Sequence, residues 1–323
     1  MTYKTALAFG VAALLCLSSA QAQVPLKIGL GHGPTHSFTQ AMERFGAALE
    51  QKRPGDYKVQ IFHSSQLGSE RVMQEALTLG SLEVTVTGLL NIYEPKFALL
   101  EAPYLFRDRQ HILKAQESET VQKLASTLPP KGLRLLGFVE NGYRNITNSV
   151  RPINAPSDVK GLKIRTPENL AQVETFRALG AQPTPMPFAE LYNALRQGVV
   201  DGQENPLQNI HDGKLYEAQK HLAITGHIYN SAYVVISEAF LKRQKPDQQT
   251  AILEAAKEAT RWQFEYASEL DAKLLDTLKQ QGMQVTTPDQ AAFRAATAPA
   301  YDAFYAKLGQ EARTIVEAIR AVR

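Results

Sequence analysis

The stretch GLKIRTPENLAQVETFRALGAQPTPMPFAELYNALRQGVVDGQENPLQNI (161–210) contains three short extended segments, ending at Arg165, Met186 and Asn205. A proline follows each of them: Pro167, Pro187 and Pro206. Proline suits the first position of a helix, because its missing N–H would go unpaired there and its φ is already helical. Gly180 and Gly198 then stand where C-terminal caps belong. The stretch therefore reads as strand and helix three times over, which implies a parallel sheet. Ligands of open parallel sheets bind beyond the carboxyl ends of the strands. Arg165 and Asn205 both lie at such ends, just before a helix N-terminus that favours anions. An arginine there suits a carboxylate ligand. It equally suits a structural pair with a protein acid such as Glu168 or Glu204.

The same grammar extends on both sides. Upstream, strands are expected at 26–30, 57–62 and 82–87, and helices at 37–50 and 70–79, the second ending at Gly80. A polar helix at 108–127 precedes a strong strand at 133–139, which runs on as extended chain through ENGYRNITNS. Downstream, a strand is expected at 224–236. The longest helical run, 247–281, starts after Pro246 and stops at Gly282. At 1.5 Å per residue it would reach about 50 Å, long enough to lie across two domains. A further helical run covers 298–323. The chain has no repeats and no loose linkers, so strands crossing between two domains are the expected join.

The 323 residues carry 35 Lys and Arg against 32 Asp and Glu, a formal net charge of +3. This balance suggests neither nucleic acid nor a charged membrane surface as partner. The N-terminus reads as a cleavable export signal (1–22): Lys4, an apolar run at 6–17, and Ala20-Gln21-Ala22 as cleavage site. That run is too short to span a bilayer. The only cysteine, Cys16, lies inside this leader behind Leu14 and Leu15, which do not suit a lipid anchor. The mature chain is therefore expected to fold in the periplasm on its core alone, with no direct membrane insertion.

Catalytic signatures are missing. There is no phosphate loop and no nucleophile elbow. Gly29-Leu30-Gly31 opens like a dinucleotide fingerprint, but Pro34 stands in place of its third glycine. His32 and His36 are four apart, yet Gly33 and Pro34 break the helix a metal pair needs, so no metal or cofactor is expected. Phe188 opens a helix level with Arg165 and either joins the core or lines a cleft. Arg144, after the turn Asn141-Gly142-Tyr143, is a candidate second cation; an arginine fork binds a carboxylate in bidentate fashion.

These residues resemble a known family. GLKIRTPENL and PTPMPFAELYNALRQGVVDGQENPL are similar to the solute-binding proteins of TRAP transporters, the DctP-type family. IFHSSQLGSERVMQEALTLGSLEVTVT and ENGYRNITNSVRPI extend the likeness over nearly the whole mature chain. The resemblance implies an α/β, two-domain periplasmic receptor with the ligand in a cleft between the domains and a long helix spanning both. The expected division is 23–141 with 230–270, and 142–229 with 271–323. It implies a monomer that captures a small organic acid and hands it to an ion-gradient-driven permease. In that likeness Arg165 is the carboxylate-binding arginine, Arg144 a second arginine beside it, Asn205 an amide on the carboxylate and Phe188 an aromatic wall. Sialic-acid-binding members reach the sugar from positions matching Gly31, Gly88 and Glu168, as two asparagines and a glutamate. With two glycines here, sialic acid does not fit. His32, His36, Asn91 and Glu168 are candidates for the far end of the ligand, which suggests a sugar acid such as a uronate or aldonate, or a shorter hydroxy or keto acid. The competing expectation is an exported α/β enzyme acting on a small acid.

Overall fold

The computed structural model describes residues 23–323, and the leader expected at 1–22, with Cys16, lies outside them. Its strands are β1 (Val24–Leu30), β2 (Tyr57–Phe62), β3 (Val84–Thr87), β4 (Leu133–Asn148), β5 (Lys163–Thr166), β6 (Gln182–Pro185), β7 (Gly202–Asn205), β8 (His221–Ser237) and β9 (Gln284–Thr286). Its helices are α1 (Ser37–Lys52), α2 (Glu70–Leu79), α3 (Arg109–Glu117), α4 (Glu119–Ala125), α5 (Leu170–Ala178), α6 (Phe188–Arg196), α7 (Leu207–Asp212), α8 (Glu238–Arg243), α9 (Pro246–Gln280), α10 (Gln290–Thr297), α11 (Ala300–Leu308) and α12 (Gln310–Ala321).

The strands hydrogen-bond in the order β2-β1-β3-β8-β4-β7-β5-β6, with β9 added to β8. Each wing is parallel: β1 pairs with β2 and β3, and β5 pairs with β6 and β7. The middle is antiparallel, because β4 and β8 run the length of both wings beside each other. Their register shifts at Glu140/Gly142 and Arg144/Ile146, and Gly142 takes a φ of 113°. Bulges of this kind bend and twist a strand pair. These two strands are the join between the halves.

Local sequence explains where the elements stop. Gly180 and Gly198 have φ of 76° and 67°, and the amides of Ala181 and Val199 reach back to Phe176 O and Ala194 O, each at 3.0 Å. That is the Schellman closure, which needs the left-handed residue glycine supplies. Two of the three prolines stand one step earlier than expected, and the third three steps earlier. Pro187 and Pro206 occupy the N-cap positions of α6 and α7 with ψ of 148° and 157°. Pro167 precedes Asn169, whose side chain caps α5 by accepting from Ala171 N. A proline holds the residue before it extended, so each one ends a strand and leaves the turn to its successor. The polar run at 108–127 divides at Ser118, whose hydroxyl restarts the helix by accepting from Val121 N. The last run divides at Gly309.

The 35-residue α9 is continuous. Its first half buries Ile252, Ala255, Ala256 and Ala259 against α1 and the first wing; its second half buries Leu274 and Leu278 against α6, α7 and β8. Each such leucine or isoleucine contributes about 1.5–3 kcal/mol by burial. Phe304, Ile315, Val316 and Ile319 of α11 and α12 lie in one core with Phe97, Leu99, Ile112 and Leu128 of the first half and with Ala171 of α5 in the second, and α11 packs directly on α5.

Candidate functional site

The carboxyl ends of β1, β3, β5 and β7 face one cleft. It opens as two adjoining cavities, with empty volumes of about 400 and 430 Å³, that share Glu70, Leu89, Arg165, Pro167 and Phe188.

Arg165, the third residue of β5, is 2% exposed. Its Nε and Nη2 both donate to Met186 O, at 3.0 and 2.6 Å. This backbone clamp fixes the plane of the guanidinium and supplies no charge. Glu204 and Glu168, the protein acids that could have claimed it, are engaged elsewhere. Burial, and then the charge of Arg144, lower the Arg165 pKa to about 10, so the group remains a cation at neutral pH.

Arg144 differs. Its Nε and Nη2 grip both oxygens of Glu204, the second at 2.8 Å, and Nη2 also donates to Glu204 O at 2.6 Å. Its remaining contacts are Asn230 Oδ1 at 3.1 Å and Asn205 Oδ1 at 3.2 Å. Burial pushes the Glu204 carboxyl upward, but Arg144 and a bond from His227 more than offset this and hold it below the usual range. His227 itself is kept neutral by burial. As the Nε2–H tautomer it donates to Glu204 at 3.2 Å while Nδ1 accepts from Thr225. Arg144 thus edges the second cavity with its charge already matched.

Asn205 closes β7 and lines that cavity. Its Oδ1 accepts from Arg144 and from Asn209 Nδ2 at 3.0 Å, and its Nδ2 donates to Gln203. Phe188 lines both cavities and stacks on His32 across the cleft, with ring centroids 5.4 Å apart. Burial lowers the His32 pKa to about 4, and its Nδ1 has no partner. His36 lies behind it as the N-cap of α1: Nδ1 accepts from Phe38 N, and Nε2 bonds Asn209 Oδ1 at 2.9 Å. Asn91 also stands back from the cavities, with Nδ2 donating to Glu168 O at 3.0 Å. The Glu168 carboxylate lines the first cavity and pairs with Arg71 across its mouth at 3.3 Å. Of the eight candidates, then, the cavities bring together Arg165, Arg144, Asn205, Phe188, His32 and Glu168, and leave His36 and Asn91 behind the wall.

Four cleft residues escaped the sequence. Glu101 is 2% exposed and accepts from Asn169 at 3.0 Å, Asn230 at 2.6 Å and Gln172. Burial raises its pKa to about 8, against the pull of Arg144. A lone charge in the apolar run PKFALLEAPYLF (95–106) was its available signal. Glu70 reads as an ordinary first-turn acid of α2, and Asn141 and Asn230 carry no local signal at all.

A family model for bacterial extracellular solute-binding proteins, family 7, matches residues 28–308. A 2,3-diketo-L-gulonate-binding periplasmic protein of Escherichia coli is 35% identical over 85% of this chain and 85% of its own length. A solute-binding protein of Verminephrobacter eiseniae is 36% identical over 95% and 91%. A TRAP periplasmic solute-binding protein of a Polaromonas species, crystallised with D-erythronate, superposes with a TM-score of 0.89 at 38% identity, covering 93% of this chain and 99% of that one.

Proposed function

The chain belongs to the bacterial extracellular solute-binding proteins of family 7, and on that premise we propose that its cleft captures a small organic acid by the carboxylate and presents it to a TRAP membrane permease from the periplasm. The observation that carries this reading is Arg165: a buried guanidinium, clamped by a backbone carbonyl, that makes no ion pair among the described residues. A carboxylate arriving there finds a donor fork whose orientation is already set, so little further ordering opposes binding. Asn205 and the Arg144–Glu204 pair form the wall beside it, and Phe188 and His32 the apolar cover. Sugar acids suit the remaining polar lining, and the relatives that bind 2,3-diketo-L-gulonate and D-erythronate point the same way. In this reading the wings on either side of the β4–β8 join are the two domains, with α11 and α12 packed against both. No helix among the described residues is long and apolar enough to cross a membrane, which agrees with a separate permease.

Titration calorimetry with a bound organic acid tests the reading. Arg165→Ala removes one partner of a buried pair, a loss of about 3–5 kcal/mol, or at least 10²-fold in affinity. Unchanged affinity would sink the assignment.

A further inference from the structure

The cleft beyond Arg165 is lined by acids. Arg71 is paired with Glu168 and Arg144 with Glu204, so neither offers an unmatched charge to a second anion. Glu70 borders both cavities together with Arg165. It is the first residue of α2, set by the Ser69 cap, and its Oε2 accepts from Thr87 Oγ1 at 2.7 Å and Gly88 N at 2.8 Å. Two bonds to one oxygen fix the carboxylate on the first-wing wall, and Oε1 makes no hydrogen bond among the described residues. An ionised carboxylate only accepts hydrogen bonds. It therefore welcomes a hydroxyl and opposes another carboxylate, and like charges set face to face suppress wrong partners strongly. The absence of a side chain at Gly31 and Gly88, which also border the cavities, leaves room along that wall.

We propose that Glu70 is the specificity-determining residue of this cleft, accepting hydroxyl hydrogens from the tail of a polyhydroxylated monocarboxylate and excluding dicarboxylates. The proposal rests on the carboxylate reading of Arg165 and adds the nature of the other end of the ligand. Glu168, across the first cavity, is matched by Arg71, so Glu70 is the carboxylate of that cavity with no ion pair among the described residues.

Matched acids test it on the folded chain by titration calorimetry: erythronate against meso-tartrate, and galactonate against galactarate. Each pair shares its hydroxyl-bearing carbons and differs by a terminal carboxylate in place of a terminal hydroxyl. The monoacid that binds is expected to do so at least 10²-fold more tightly than its diacid. In Glu70→Gln, whose amide can donate to a carboxylate, that ratio should narrow at least tenfold. A diacid binding the native chain within tenfold of its monoacid overturns the proposal, with no variant needed. So does an unchanged ratio in a Glu70→Gln protein that melts cooperatively, or failure of every polyhydroxy monoacid to bind. Galactitol, a hexitol with no carboxylate, separates the two layers. If it binds as tightly as galactonate, the Arg165 reading fails and takes this proposal with it; a diacid as strong as its monoacid, with galactitol inert, removes only the role of Glu70.

Discussion

Replacing Glu204 by glutamine should unsettle the protein and sharpen its appetite for anions at once. Glu204 is fully buried, and its two oxygens face Arg144 Nε, Arg144 Nη2 and His227 Nε2. Glutamine keeps the shape but has one accepting oxygen, so its NH2 group must face a donor of Arg144 or His227. The buried guanidinium also loses its counter-charge. Breaking one side of a buried ion pair costs about 3–5 kcal/mol. With an unfolding entropy near 2.1 cal/mol/K per residue, this corresponds to a melting temperature lower by roughly 5–8 °C for a chain of this length. Urea unfolding followed by the fluorescence of Trp262, the one tryptophan, measures the loss directly. The second signature is functional. Arg144, released, can join Arg165 in holding a ligand carboxylate, so a saturating acid should raise the melting temperature more in the variant than in the native protein. A loss below about 1 kcal/mol with no change in the ligand-induced shift would refute the reasoning, because Arg144 would then not depend on Glu204.

Stability should fall as pH rises from about 7.5 to 8.5. In that window Glu101, raised to about 8, still holds a proton in the native state that the unfolded chain has released, and Glu140, raised to about 7, adds a smaller part, whereas His32, His36, His221 and His227, all lowered in the fold, have largely lost their protons in the unfolded chain as well and oppose the fall only below this window. The slope is at most about 1.4 kcal/mol per pH unit for each group, and Glu101→Gln should flatten it in urea melts; an equal slope in the variant counts against Glu101. Arg165→Lys should weaken acid binding by calorimetry even though the charge is kept, since an ammonium cannot form the fork; affinity equal to the native protein would contradict that geometry. Gly202→Ala should destabilise by about 1–3 kcal/mol or more, because its Cβ would stand 2.2 Å from Thr147 O on the neighbouring strand; an unaltered urea midpoint would show that β4 and β7 are not so close.

Much of the fold is legible because its punctuation is local. Gly80, Gly180, Gly198 and Gly282 all adopt the left-handed conformation that a helix end requires. The alternation in YKVQIF and the periodicity of α9 need no knowledge of the partner surface. The packing of α11 on α5 and of α12 on residues 95–101 and α4 is a long-range choice, and no residue within 300–321 states it. The site divides in the same way. Arg165 and Asn205 stand out by position, at strand ends before helix starts. That Arg144 spends its fork on Glu204 while Arg165 is clamped only by a carbonyl depends on residues some 20 to 60 apart in the chain. The place of His36 depends on the fold as well: as the cap of α1 its ring turns toward Phe38 N and Asn209.

The packing of the C-terminal helices into a core that includes Phe97 also bears on how the chain acquires its fold. The first core contains Phe97 and Leu133 together with Val316 and Ile319, so no stretch ending before residue 319 holds that core complete. The β4–β8 ladder joins residues up to 104 apart, as Leu133 pairs with Ser237. Contacts at such separation make folding slow, since loop entropy is lost before they form. The core that includes Val316 and Ile319 therefore closes only when the last helix is available, whereas the core of α1 and the first half of α9 needs nothing beyond Trp262.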